Sequence, residues 1–189
     1  MLLALLLGLL LASGRLSHRT WLNSFCAAVV WFFRGPPLLI MILFFFLGFP
    51  YAFGIDLNAF WALVLSLMLY NGSVLAEIFR SGVLSLPRGQ SEAASSLGLS
   101  GARAMWHILL PQAIRNMLPA IISQLVVLLK DTSLGFVVSY FELLRYGNTA
   151  IQILHNPIQV YVLIAAIFIT VNFALSRLAR WLEARGQKT

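Results

Sequence analysis

The sequence predicts an all-α fold, a polytopic bundle of membrane-spanning helices forming one domain over residues 1–189. Three observations carry this. Hydrophobic residues make up 60% of the chain and charged residues only 10%, against about 25% charged in a soluble domain. Several uncharged runs approach the ~20 residues that a helix needs to cross a bilayer. The thirteen Lys and Arg, set against six Asp and Glu for a formal charge of +7, fall in the gaps between those runs. A nucleic-acid surface would gather its basic residues into one patch. Spacing between apolar runs reads instead as membrane topology, with no nucleic-acid partner.

The elements follow in order. Residues 1–14 and 20–33 are apolar runs of 14 residues each, a length that suits an interfacial segment or half a span. Residues 38–55 (18), 57–76 (20) and 156–176 (21) are uncharged and read as crossings. Residues 116–141 read as another, interrupted by Lys130 and Asp131. Leucine-rich residues 1–14 lack the positive n-region of a signal peptide, and Arg15 and Arg19 behind them fit a helix end. Cys26 is the single cysteine, so no intrachain disulfide can form, and it reads as a small buried apolar residue.

Charge sets the expected orientation. Arg15, Arg19, Arg34, Arg80, Arg88, Arg103, Arg115, Arg177, Arg180, Arg185 and Lys188 all fall on one side of this arrangement. The other side, residues 51–56 and 142–156, holds only Arg145. The positive-inside rule places the long polar loop 80–115 and the C-terminus in the cytoplasm.

That loop carries the most specific signal. It reads Glu92-Ala93-Ala94, then Gly98, then, after nine intervening residues, Ile108, Leu110 and Pro111. Pro87 and Gly89 punctuate its entry, and Ser91 is placed to cap a short helix beginning at Glu92, whose charge would suit the first turn. Gly98 suits a left-handed helix end. Ser100 is placed to cap a second short helix to about Leu110, and Pro111 to mark a break or restart. Ala93, Ala94 and Leu97 would offer small apolar surface at helical spacing on a rigid knob.

This pattern resembles the EAA loop of ATP-binding-cassette importer permeases of type I. The stretches "YNGSVLAEIFRSGVLSLPRGQSEAASSLGLS", "ILLPQAIRNMLP", "LLKDTSLGFVVSYFELLRYG" and "FFRGPPLL" resemble the polar-amino-acid branch that serves histidine, glutamine, glutamate and arginine. Two of these segments look most like glutamate permeases. The resemblance implies about five transmembrane helices, the first truncated because the chain starts partway along it. It implies a coupling helix held in a groove of an ATPase subunit, with Glu92 in a charged contact, Ala93 and Ala94 permitting close approach, Gly98 making the turn, and Ile108, Leu110 and Pro111 completing the motif. It further implies an ATPase dimer that uses ATP and Mg, a second permease chain (identical or sister), an extracytoplasmic amino-acid-binding protein, and a bacterial inner membrane.

No phosphate-binding G-x-x-x-x-G-K-[ST] loop, H-E-x-x-H or G-x-S-x-G element is present. The chain is therefore expected to bind no cofactor and catalyse no reaction, leaving ATP hydrolysis to a partner. A stand-alone carrier or channel is the competing reading, and it leaves the pattern at 92–111 unexplained. Within the membrane, Lys130 and Asp131 must face protein or water. They read equally as substrate-path residues and as a structural pair at a helix break, with Thr132 and Ser133 placed to satisfy freed backbone groups. Tyr70 and Asn71 read as bonding neighbouring helices or lining the same path, with Ser73 beside them. Glu77 and Arg80, three apart, are expected to pair on one helix face.

Overall fold

Hydrocarbon offers no hydrogen-bond partner, so each apolar run must satisfy its backbone groups within itself and becomes helical. The computed structural model describes residues 1–186, and no strand occurs among them. The helices are α1 (Leu2–Arg15), α2 (Thr20–Arg34), α3 (Leu38–Leu43), α4 (Phe49–Phe53), α5 (Ala59–Leu84), α6 (Arg88–Ser96), α7 (Gly101–Ala104), α8 (Leu110–Asp131), α9 (Leu143–Leu154) and α10 (Pro157–Gly186). A π turn at Phe44–Gly48 joins α3 to α4, and another at Met105–Leu109 joins α7 to α8. A 3-10 segment, Thr132–Val138, extends α8.

Three helical stretches are long and apolar enough to cross a membrane: Ala59–Leu84, Met105–Val138 and Pro157–Leu178. The expected crossing at 38–55 is present as the helical stretch Leu38–Phe53, which is shorter than the three long spans and is bent by 93° from the preceding Thr20–Arg34. Pro36 and Pro37 lie at the bend: neither has an N–H to continue the ladder of the preceding helix, and Pro37 is extended at ψ 136. Of the break or restart expected at Pro111, the structure shows a restart, α8 beginning at Leu110. The π turn at Met105–Leu109 feeds directly into α8, with Pro111 in its first positions, where a missing N–H costs least. Lys188 lies outside the described residues.

α5 is the centre of the bundle. It packs against α1, α2, α3 and α8 and is more than half buried along its span. Asn58 starts it, accepting a hydrogen bond from the Trp61 N–H at 3.0 Å. α1 runs parallel to it at close range through two glycines. A Cβ on Gly8 would lie 2.9 Å from Leu75 Cβ, and one on Gly72 would lie 2.9 Å from Leu7 Cδ2. Small residues at such crossings let backbones approach where no hydrophobic drive holds helices together. Around this seam lies the main core of Ala4, Leu11, Ala12, Leu75, Ala76 and Phe79, joined by Cys26 and Val30 of α2.

Gly72→Ile should force α1 away from α5 and cost roughly 1–3 kcal/mol. Gly101→Ala, where an added Cβ meets nothing within 4 Å, should leave stability close to native. Thermal unfolding of the two variants in detergent measures the contrast. Equal melting temperatures would overturn the α1–α5 seam.

Candidate functional site

The knob between α5 and α8 is built by its turn. α6 starts at Arg88, with Pro87 as the flanking residue, and not at Glu92 behind a Ser91 cap. Pro87 is suited to that place by its fixed φ of −58. Glu92 therefore sits in the body of the helix, beyond the first turn where the dipole argument would apply. The C-terminus is a Schellman closure on Gly98, at φ +74: the Gly98 N–H donates to Ser95 O at 2.9 Å and the Leu99 N–H to Ala94 O at 3.1 Å. An added Cβ at Gly98 meets nothing within 4 Å, so the requirement for glycine is conformational and not steric.

Ala94 corrects the expected apolar surface. It is buried, as is Ala104, where α6 packs on α7 and the π turn. The face left open carries Glu92, Ala93, Ser95, Ser96 and Leu97, with Leu97 at 79% exposure. Ile108 and Leu110 are half-buried in the helix behind it and Pro111 is exposed. Gln112 clamps the knob to α8, its amide donating to Gln90 Oε1 at 3.3 Å and to Ile108 O at 3.0 Å.

A second polar group lies inside the bundle. Asn71, fully buried on α5, accepts from Gln124 Nε2 at 2.7 Å and donates to Asp131 Oδ2 at 3.5 Å. Asp131 thus joins α8 to α5, and no Lys130–Asp131 bridge forms among the described residues. The adjacent residues part company here. Lys130 and Ser133 line a groove of about 590 Å3 between α8 and α10, with Phe168, Asn172 and Phe173. Thr132 lines a cavity of about 380 Å3 on the other side, with Phe60, Tyr140 and Glu142. Thr132 Oγ1 donates to Leu129 O at 2.6 Å and Ser133 Oγ to Lys130 O at 2.7 Å, so both hydroxyls serve the α8 carbonyls where the helix tightens into 3-10 geometry. Tyr70 packs against the second core cluster of Leu38, Ile42, Leu63 and Val138. Ser73 Oγ is buried without a partner.

The third group is a shared carboxylate. Glu77 Oε1 accepts from Arg80 Nε at 3.0 Å, and Glu77 Oε2 accepts from Arg15 Nη1 at 3.2 Å. The Arg80 pairing is the one that the three-residue spacing predicts. Arg15, 62 residues away, is an addition that local spacing cannot reveal. Gln124 and the Gln90–Gln112 clamp are likewise additions; for Gln124 and Gln112 a glutamine in an apolar helix was the only signal, and polar α6 gave none for Gln90.

A family model, "Binding-protein-dependent transport system inner membrane component", matches residues 4–188. The chain is 44% identical over 183 residues to the glutamate transport system permease protein GluD of Corynebacterium glutamicum, covering 96% of this chain and 67% of that one. It is 38% identical over 188 residues to the probable glutamine ABC transporter permease protein GlnP of Bacillus subtilis, covering 97% and 85%. Its fold matches the crystal structure of an amino acid ABC transporter with histidines at a TM-score of 0.92 and 32% identity, covering 97% of this chain and 86% of that one.

Glu77→Gln should strand two guanidinium groups, whereas Arg80→Gln leaves the Arg15–Glu77 pair intact. Glu77→Gln is therefore expected to destabilise by on the order of 2 kcal/mol, and Arg80→Gln by clearly less. Thermal melts of the two purified variants compare them. The reverse order would show that the carboxylate does not hold α1 to α5.

Proposed function

We propose that this chain, which belongs to the family of binding-protein-dependent transport system inner membrane components, passes a polar amino acid, with glutamate as its substrate, through an ATP-driven importer. It is a non-catalytic permease subunit, and ATP hydrolysis belongs to separate subunits. The observation that carries the functional reading is the knob at 88–111. It stands clear of the bundle, ends in a glycine-closed turn, and is clamped to the start of a spanning helix. A partner that moves the knob also moves α8.

In this reading an ATPase dimer grips the exposed face of α6. Glu92 makes the charged contact, and Ala93 and Leu97 make the apolar one. Ala94 acts from beneath, by letting α6 sit close on α7. Gly98 sets the angle, and Ile108, Leu110 and Pro111 carry the motion into the membrane. ATP and Mg are bound by the ATPase alone. A second permease chain and an extracytoplasmic amino-acid-binding protein complete the assembly in a bacterial inner membrane. The arginine-rich ends of the helices face the cytoplasm. Support for an amino acid comes from the relatives' names, and support for glutamate from the 44% relative. Asp131, held by Asn71, and Lys130, in its own groove, are the charges available to a zwitterionic substrate along α8, with Thr132 and Ser133 beside them; Tyr70 packs on the second core cluster.

Reconstitution of the chain with its ATPase and binding protein tests coupling. Gly98→Val imposes a left-handed conformation on a β-branched residue, at a cost of about 1–2 kcal/mol, and should reduce ATP-driven glutamate uptake severalfold while the chain still inserts. Gly98→Asn tolerates that conformation and should retain most uptake. Native uptake in both variants would remove the knob from the mechanism. Native coupling with glutamine preferred over glutamate in competition would overturn the substrate alone.

Orientation has its own test. With Cys26→Ala as background, a cysteine at exposed Ser91 should resist an impermeant thiol reagent in intact cells and react in inverted vesicles. Labelling from outside would reverse the topology.

A further inference from the structure

α2 is turned by 93° from the helical stretch that follows it, so it cannot share that stretch's path across the bilayer. One side of it is fixed. Cys26 and Val30 are buried in the main core, with Leu22 and Val29 packed beside them, and the helix rests on α1 and α5. The opposite side is open and carries four large aromatic residues, with Ser24 and Ala28 exposed among them. Trp21, Phe25, Trp31 and Phe32 are 65%, 62%, 77% and 72% exposed, with Ala28 between them on the same arc at helical spacing. Exposed arginines stand at both ends, Arg19 as the flanking residue and Arg34 in the last turn. The first acidic residue in the chain is Asp56, so nothing local in sequence offsets them. Glu77, whose carboxylate feels the charge of Arg34, is bridged by Arg15 and Arg80 and not by either arginine of α2.

From this arrangement we infer that α2 is a membrane-surface helix that selects anionic phospholipid. The indole and phenyl rings sit at the boundary between headgroups and acyl chains, where tryptophan's apolar body and polar N–H are both satisfied. Arg19 and Arg34 reach lipid phosphates at the same depth, in the geometry of in-plane amphipathic helices. Trp31, Arg34 and Gly35 form a small hollow at the C-terminal end where a headgroup fits. The occupant is lipid and not protein because the face combines four exposed aromatic rings with an exposed arginine at each end, neither of which forms a salt bridge among the described residues. Which leaflet supplies the lipid rests on the orientation proposed above; the lipid contact itself does not.

The test uses the full chain in bilayer nanodiscs, with Trp31 kept and Trp21, Trp61, Trp106 and Trp181 replaced by phenylalanine. Each arginine near an anionic surface favours it by roughly fivefold. In mixed phosphatidylglycerol–phosphatidylcholine discs, brominated phosphatidylglycerol should therefore quench Trp31 several times more strongly than brominated phosphatidylcholine. Arg19→Gln/Arg34→Gln, which changes only exposed side chains, should bring the two to parity while quenching persists. Soluble glycerol phosphate should not displace the effect. Equal quenching by both lipids in the native chain would overturn the selection. Absence of quenching by either would mean that protein or water covers the face, and reversal by glycerol phosphate would mean a free-anion site; each of these also overturns it. None of these outcomes depends on ATP-driven uptake, so a failed transport assay and a failed lipid assay remain distinct.

Discussion

One carboxylate holds the position of the helix on which the others are assembled. Glu77 receives Arg15 from α1 and Arg80 from its own helix, at the end of α5 where both α1 and α5 leave the apolar seam. A lone arginine or a lone glutamate in that place would be expensive. Shared, the three charges become a latch. Closure of the latch fixes how α1 lies on α5, and the Gly8–Gly72 approach then sets their separation. α2 follows, because Cys26 and Val30 belong to the same core. α8 is positioned on the other face of α5 through Asn71, Gln124 and Asp131.

Backbone accounting explains the irregular places. The chain puts prolines at 36, 37, 50, 111, 119 and 157 in or beside apolar helices. Pro50 and Pro111 each fall in the first positions of a helix that follows a π turn, so the wider turn absorbs what a proline would otherwise break. Pro119 stands inside α8 and removes one ladder bond there. At the far end of α8, Thr132 and Ser133 return their hydroxyls to the carbonyls of Leu129 and Lys130. Beyond the 3-10 segment, Glu142 caps α9 through the N–H groups of Leu144 and Arg145 at 2.8 and 2.7 Å.

Much of this was legible in the sequence, for reasons that are local. Composition and run length give a helical membrane bundle, and Gly98 gives the left-handed turn because few other residues favour it. Glu77 and Arg80 share a helix, so spacing alone predicts their contact. What stayed hidden depends on tertiary packing. Arg15 reads as a topological charge until α1 is laid on α5. Ala94 reads as surface until α6 folds back on α7, and then it faces inward. Lys130 and Asp131 read as a pair because they are adjacent, but adjacent helical positions point about 100° apart. The helix therefore hands Asp131 to α5 and leaves Lys130 toward α10. Pro111 read as a break or restart, and the π turn that precedes it has no local sequence signature.

The arrangement of α8 connects the two polar regions. The helix is 22 residues long, about 33 Å at the helical rise. Its first turn carries the Gln112 clamp to the knob, and its last turn carries Asp131 and the change to 3-10 geometry. A push on the knob thus acts on a helix whose far half meets α5 through Gln124 and Asp131 on Asn71 and through buried Leu128. In the proposed importer, movement of the ATPase subunits would reach the junction at Lys130–Ser133, which opens to the groove on one side and to the cavity on the other. For ATP hydrolysis to drive transport, the two positions of α8 must differ in how they contact the substrate. The junction is where a small rotation of the helix changes which of Asp131, Lys130 and Thr132 is presented.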